Sequence, residues 1–327
     1  KDGVVAFWSA IPQPKEEMPR LIPLGPSNRA QPVFAPKSRV LTVPREGTVS
    51  LFDLATFSET ELSELGTDVS MVAYSPDGIL LVSGGANGRI RVWSCTERRL
   101  LKELDDHKAQ IILLRFQADG KRLFSLDATG EAIWWDALMW QPDRTFVARL
   151  LSGGMGHRVD VSPDGRLLAF GARGALQWLS AETGELLATS TGTHMVAATR
   201  VVFSNDGLRV ASTYNYGTVA LWDASSFGLE TAFRGHLLGA CGAAFSPDGR
   251  RLVSSGTGLD AVKLWDSLSH RELITLPGES ILREVAFSPD SSWLAACNRE
   301  GTLHLWHAPS WEEIDAEERR LKGEPSP

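Results

Sequence analysis

Cysteine is scarce: the chain of 327 residues has three, Cys95, Cys241 and Cys297, far apart and with no Cys-x-x-Cys pair. That spacing indicates neither a disulfide framework nor a thiolate zinc site, and it fits a reducing, cytoplasmic setting. There is also no apolar run of about 18 residues or more, the length a membrane-spanning helix needs. The opening Lys1-Asp2-Gly3 is not a charged-then-apolar signal peptide. An excess of basic charge is missing too. Against 33 Lys and Arg stand 40 Asp and Glu, a formal charge of −7, which is the wrong sign for a protein that must neutralise many phosphates. Nucleic acid and membrane are therefore not the expected partners. The G-x-S-x-G, H-E-x-x-H and G-x-x-x-x-G-K-[ST] motifs are absent, which removes common signatures of a nucleophile elbow, a zinc protease and a phosphate loop.

What the chain has is repetition. Apolar residues make up 43% and charged residues 22%, an ordinary balance for a chain that buries a core. A Ser-Pro-Asp-Gly turn or a relative of it recurs at Asp77, Asp119, Asp164, Asp206, Asp248 and Asp290, with gaps of 42, 45, 42, 42 and 42 residues. Each turn sits between short apolar runs, such as Val72-Ala73-Tyr74 and Leu80-Leu81-Val82, which is a hairpin signature. Pro presets φ, Asp can bond the backbone ahead of it, and Gly takes the positive φ that closes the turn. A third run in each period ends on an aromatic residue: Trp8, Phe52, Trp93, Trp135, Trp178, Trp222, Trp265 and Trp306. A period of about 42 residues is that of a β-propeller blade.

Four of these aromatics are followed by Asp, at Asp53, Asp136, Asp223 and Asp266, and Gly235-His236 precedes the run from Cys241 to Phe245. In that order and phase the chain resembles the WD-repeat family over almost its whole length. The resemblance implies four antiparallel strands per repeat, a to d, in blades that stack radially and bury one another. For blade six it implies strand a at Ala240 to Phe245, b at Arg251 to Ser255, c at Val262 to Trp265 and d at Glu272 to Leu276. It also implies a buried polar tetrad of His236, Ser255, Asp260 and Trp265. Elsewhere the position six before the aromatic holds Glu46, Asn87, Thr129, Tyr216 and Glu300, and blade four has Arg173 at the turn. In these eroded blades the Trp is expected to be held by apolar packing, because burying an unpaired polar partner costs about 1 to 3 kcal/mol.

The ends matter because an open propeller edge invites aggregation. Asp2 to Trp8 reads as a strand c lacking its own a and b. With no initiator Met, this points to a chain cut from a longer protein, with residues 1–19 a remnant and linker. Arg20 to Leu24 is expected to complete the last blade, so that residues 20–308 close as seven blades; an eighth, half-built blade is the competing arrangement. Ser310 and Glu313 have capping-box spacing, so residues 309–327 are expected to form a short helix and a polar tail.

No cofactor or metal is expected. Gly84 to Gly88 reads as a b-to-c turn, and His304 and His307 read as surface residues. The turn aspartates are too far apart to gather the six to eight oxygens of a calcium site. His107, His157, His194 and His236 recur just ahead of strand a, where the family places its structural His. Trp134, Trp140, Trp293 and Trp311 fall outside the strand-c series and read as packing residues or, alternatively, binding anchors. Proteins resembling this one often grip partners across the top face, where phase places Arg45, Glu46, Asn87, Arg173, Asn215, Tyr216, Arg299 and Glu300. The expected function is a non-catalytic, monomeric scaffold for a protein or peptide. An enzymatic or ligand-binding channel is the alternative. The Ala308-Pro309-Ser310-Trp311-Glu312-Glu313-Ile314 ending is similar to bacterial WD-repeat proteins in which the propeller follows a kinase domain, an analogy of family rather than of site.

Overall fold

The structure, a computed structural model, describes residues 20–24, 31–45, 48–62, 69–148, 158–172, 175–192, 198–258, 261–276, 280–298 and 300–307. Twenty-eight strands form seven four-stranded antiparallel sheets among these residues. Blade 1 comprises Val33–Phe34, Val40–Arg45, Thr48–Asp53 and Glu59–Leu62; blade 2 runs from Val69–Tyr74 to Arg99–Leu104, blade 3 from Ile111–Phe116 to Gln141–Val147, blade 4 from Val159–Val161 to Leu186–Thr191 and blade 5 from Ala198–Phe203 to Leu229–Arg234; blade 6 comprises Ala240–Phe245, Arg251–Gly256, Val262–Asp266 and Glu272–Leu276. Blade 7 takes its first three strands from Leu282–Phe287, Trp293–Asn298 and Thr302–His307. Its fourth is Arg20–Pro23 from the other end of the described chain, in the register Arg20↔Leu305 to Pro23↔Thr302. Ring closure by this strand gives seven blades. The expected orphan strand at Asp2 to Trp8 and the expected helix after residue 309 lie outside the described residues.

The recurring turn is explained by its hydrogen bonds. Ser75 Oγ donates to Asp77 Oδ1 at 2.5 Å, the Ile79 amide donates to the same oxygen at 2.9 Å, and the Leu80 amide donates to Ser75 Oγ at 2.9 Å. Gly78 closes the turn at φ 77°. Ser204 with Asp206 and Ser246 with Asp248 repeat the arrangement, and in blade 7 Ser291 takes the glycine position at φ 59°. The Asp after the strand-c aromatic caps the next turn. Asp223 Oδ1 accepts from the Ser225 amide at 3.0 Å and the Ser226 amide at 2.6 Å, and Asp53, Asp136 and Asp266 do the same in their blades.

The core lies between blades, so no sheet is stable alone. Alternation along strand c sends Trp134 and Trp135 to opposite faces, and both are fully buried. Trp134 packs with Phe124 and with Leu168 and Phe170 of blade 4, and its indole N–H donates to the Ala181 carbonyl at 2.6 Å. Arg122 covers that joint: its guanidinium lies 4.4 Å from the Trp134 ring and pairs with Glu182 at 2.5 Å and Asp143 at 3.2 Å. Around the channel, Asp160 of blade 4 ties both neighbours, accepting from Arg115 of blade 3 at 2.7 Å and from the Phe203 amide of blade 5 at 2.8 Å.

Candidate functional site

The top face is built from the b-to-c turns and the d-to-a loops. Gly217, at φ 79°, lets one such turn press against the loop behind it, where its carbonyl accepts the amides of Gly235 at 2.8 Å and His236 at 3.0 Å. A Cβ on Gly217 would lie 1.9 Å from the His236 carbonyl oxygen. The docked pair thrusts Tyr216, Leu237 and Leu238 outward, with 66%, 70% and 66% of their surface exposed. Arg234 braces the loop from below, donating to the Leu237 carbonyl at 2.6 Å. Three large apolar side chains displayed by two interlocked turns form an apolar prominence, which single exposed residues do not.

The expected top-face residues divide accordingly. Tyr216 belongs to this prominence, and the carbonyl of Asn215 lies against Gly239 in the same loop pair. Arg45 does not present a free guanidinium: its side chain is 15% exposed and pairs with Glu59 at 3.0 Å and Glu61 at 3.7 Å on the outer strand of its own blade. Asn87 serves its own turn, its Oδ1 accepting the Arg89 amide at 3.0 Å. Glu300 accepts a hydrogen bond from Ser280. Glu46, Arg173 and Arg299 lie outside the described residues. Leu237 and Leu238 were not anticipated. The available signal was two adjacent leucines directly after Gly235-His236, where the repeat has a polar loop.

The buried tetrad differs from expectation in two ways. In blade 6 the serine is Ser254, not Ser255: Ser254 Oγ bonds His236 Nε2 at 2.8 Å and accepts the Trp265 indole N–H at 2.8 Å. Adjacent strand residues face opposite sides, so Ser255 turns the other way: it accepts the amide of Gly242 in its own blade at 2.8 Å and donates to the Arg283 carbonyl of blade 7 at 3.3 Å. Asp260 lies outside the described residues. The fullest network is in blade 3, which Thr129 had marked as eroded. There Ser125 Oγ bonds His107 Nε2 at 2.7 Å and accepts the Trp135 N–H at 2.8 Å, while Asp127 Oδ2 lies 3.4 Å from His107 Nδ1. The acid comes from the last residue of strand b, not from the following turn. Burial lowers the His107 pKa against the pull of Asp127. Burial acts to raise that of Asp127, but the Thr129 hydroxyl and the amides of Thr129 and Glu131 hold it low.

Elsewhere the network thins. Trp222 keeps its serine, Ser212, at 2.8 Å, with Tyr214 in the acid's position. Trp178 donates instead to Ser190 at 2.9 Å. The indole nitrogens of Trp93 and Trp306 are buried with no hydrogen-bond partner among the described residues, so apolar packing holds those rings. His304 is buried at 1% exposure, with its ring 5.7 Å from that of Trp306, which corrects the surface reading.

The channel, about 390 Å³, is lined by apolar inner-strand residues with Arg115, Asp160 and Arg200, and no histidine lines it among the described residues. Its charges are paired: Arg115 with Asp160, and Arg200 with Glu284 of blade 7 at 3.3 Å. Only one group of three possible metal donors occurs among the described residues, His107, Asp127 and Glu131, and two of its members belong to the buried tetrad.

Residues 59–94, 228–266 and 271–307 match the family described as WD domain, G-beta repeat. The chain is 29% identical over 217 residues to Periodic tryptophan protein 2 of Arabidopsis thaliana, covering 64% of this chain and 23% of that protein. It is 25% identical over 224 residues to the SIR4-interacting protein SIF2 of Saccharomyces cerevisiae, covering 64% and 40%. Against the small ribosomal subunit protein RACK1 of Candida albicans it is 30% identical over 119 residues, covering 36% and 37%. The chain thus spans less than half the length of these relatives, all of them eukaryotic. A chain in a crystal structure of the mitotic checkpoint complex superposes with a TM-score of 0.76 at 18% identity, covering 94% of this chain and 100% of that one, a likeness of fold.

Proposed function

We propose, starting from a seven-bladed propeller of WD-family repeats, that this chain is a non-catalytic scaffold that holds a partner protein or peptide on its top face, as the docking part of a larger protein. The observation that carries the reading is the prominence of Tyr216, Leu237 and Leu238, each about two-thirds exposed on a rigid pair of turns. Aromatic and aliphatic anchors on an ordered frame lose little conformational entropy on binding, and tyrosine is a favoured hot-spot residue. The channel favours this choice over catalysis, because among the described residues its charged groups are paired with one another, Arg115 with Asp160 and Arg200 with Glu284.

The test is triple alanine substitution of Tyr216, Leu237 and Leu238, with partner capture from lysate of the source organism and thermal melting measured side by side. Loss of at least tenfold in capture with an unchanged melting temperature is expected. Unaltered capture overturns the reading. Alanine at Arg45, by contrast, is expected to weaken blade 1 while sparing capture.

A further inference from the structure

On the bottom face, where blade 7 meets blade 1, lies a groove of about 350 Å³. Its floor and walls include Phe34, Leu54, Trp293 and Asp290, and the exposed side chains of Lys37 and Arg39 stand on its rim. Neither cation forms a close ion pair among the described residues, although the charge of Lys37 is felt at Asp77 and that of Arg39 at Asp53, whereas Arg45, Arg115, Arg122, Arg200 and Arg209 each form one. The wall continues outward. Phe57 meets Trp293 edge-on with ring centroids 6.0 Å apart, and Arg20 lies 3.6 Å over the Phe57 ring. The groove is thus a largely apolar slot at the seam where the ring closes, with two exposed cations on the blade 1 side and, on the blade 7 side, the Asp290 carboxylate, whose Oδ1 is taken up by Ser288 and Ser292 of its own turn.

We propose that this groove is the docking site of the chain's own segment 308–327. Two independent observations select this occupant. The first is position: His307, the last residue of its strand, pairs across the sheet with Trp293, and their rings are 4.4 Å apart. The chain therefore leaves its last described strand beside the groove wall. The second is chemistry: the segment begins Ala308-Pro309-Ser310-Trp311 and continues Glu312-Glu313-Ile314-Asp315-Ala316-Glu317-Glu318. Its first part carries an indole and an isoleucine three residues apart, amid five carboxylates with no intervening base; Arg319, Arg320 and Lys322 follow only after these. An acidic segment with apolar anchors complements a cation-rimmed apolar slot, and tethering a few residues away keeps its effective concentration high. Trp311, which has no place in the repeat, then gains one, as the anchor beside Trp293.

Hydrogen–deuterium exchange on the full chain tests the assignment, comparing the natural sequence with Trp311→Ala. The amides of residues 37–39 and 290–293 are expected to exchange at least tenfold faster in the variant, while the equivalent turn at 205–208 in blade 5 stays unchanged. A second variant, Lys37→Glu with Arg39→Glu, is expected to reproduce the effect. Adding Glu312→Lys and Glu313→Lys to it is expected to restore at least half of the lost protection. Equal exchange at the seam turns with and without Trp311 overturns the proposal, as does acceleration spread uniformly over all turns or charge reversal without rescue. Protection that rises with protein concentration also overturns it, since it would place the segment of a second copy in the groove.

Discussion

Ser125→Ala removes one hydroxyl and strands two buried groups. Ser125 Oγ is the partner of His107 Nε2 at 2.7 Å and of the Trp135 indole N–H at 2.8 Å, and both rings are buried. A buried donor or acceptor left unsatisfied costs about 1 to 3 kcal/mol. Two such groups sharing one network give about 2 to 5 kcal/mol, toward the lower figure if His107 shifts to a full bond with Asp127. For a domain of this size each kcal/mol moves the melting temperature by about 1.5 °C, so a drop of about 3 to 8 °C is expected. The control is Ser58→Ala: its hydroxyl meets that of Thr56 at 2.8 Å with both residues exposed, and about 0.5 kcal/mol or less is expected there. Thermal and urea melts of both variants supply the numbers. Trp135→Phe adds a cycle, because removing the indole N–H should make Ser125→Ala cheaper by about 1 kcal/mol or more. Ser125→Ala melting with the control, or additive effects in the cycle, would refute the view that this hydroxyl joins the histidine and the tryptophan.

In blade 6, Ser254→Ala is expected to free His236 and Trp265, whereas Ser255→Ala should loosen the joint to blade 7. Indole solvent exposure at Trp265, read by fluorescence quenching, should rise in the first variant and not in the second. Gly217→Ala forces a residue with a side chain to φ 79° and a Cβ against the His236 carbonyl; about 3 kcal/mol of destabilisation is expected, and partner capture should fall with it if the top-face reading holds. Acid should act through the turn aspartates. Hydrogen bonds led by the Ser225 hydroxyl draw Asp223 down to about 2, and the Ser75 hydroxyl first of all lowers Asp77. A carboxylate whose pKa is lower folded than unfolded stabilises above about pH 4 and loses that contribution as pH falls toward about 2. Asp223→Asn should therefore melt below the natural protein at neutral pH, with the gap closing over that acid range.

The fold was legible because its signals are local and repeat. Ser-Pro-Asp-Gly states a turn in four residues, and the bonds of Ser75 and Asp77 show why each letter is needed. Even the closure by Arg20–Pro23 followed from counting strands. The tetrad was less legible because parity on a strand turns a one-residue error into the opposite face of the sheet. Phase alone would have corrected it: Ser83, Ser125, Ser212 and Ser254 all hold the fourth position of a six-residue strand b. The acid of blade 3 was not legible at the turn position, because Asp127 ends the strand before it.

The top face was the least legible, and the reason is physical. An exposed turn residue is constrained by the loop it docks against, which comes from a different part of the period. Arg45 was expected among the top-face residues and is bound to Glu59; Leu237 and Leu238 were not among them and stand out there as exposed apolar side chains. The reversal follows from how a propeller divides its work. Inner and middle strands are fixed by packing between blades, so their sequence repeats and their roles can be read by phase. The loops carry no such constraint, and departures from the repeat accumulate there. A residue pair that breaks the pattern while sitting on a braced turn, as Leu237-Leu238 does above Arg234, is therefore better evidence of a binding role than one that merely occupies a top-face position. By the same rule the bottom seam stands out, since Lys37 stands where the turns of the other blades carry Asp77, Asp119, Asp164, Asp206, Asp248 and Asp290, at the place where the ring has to be closed.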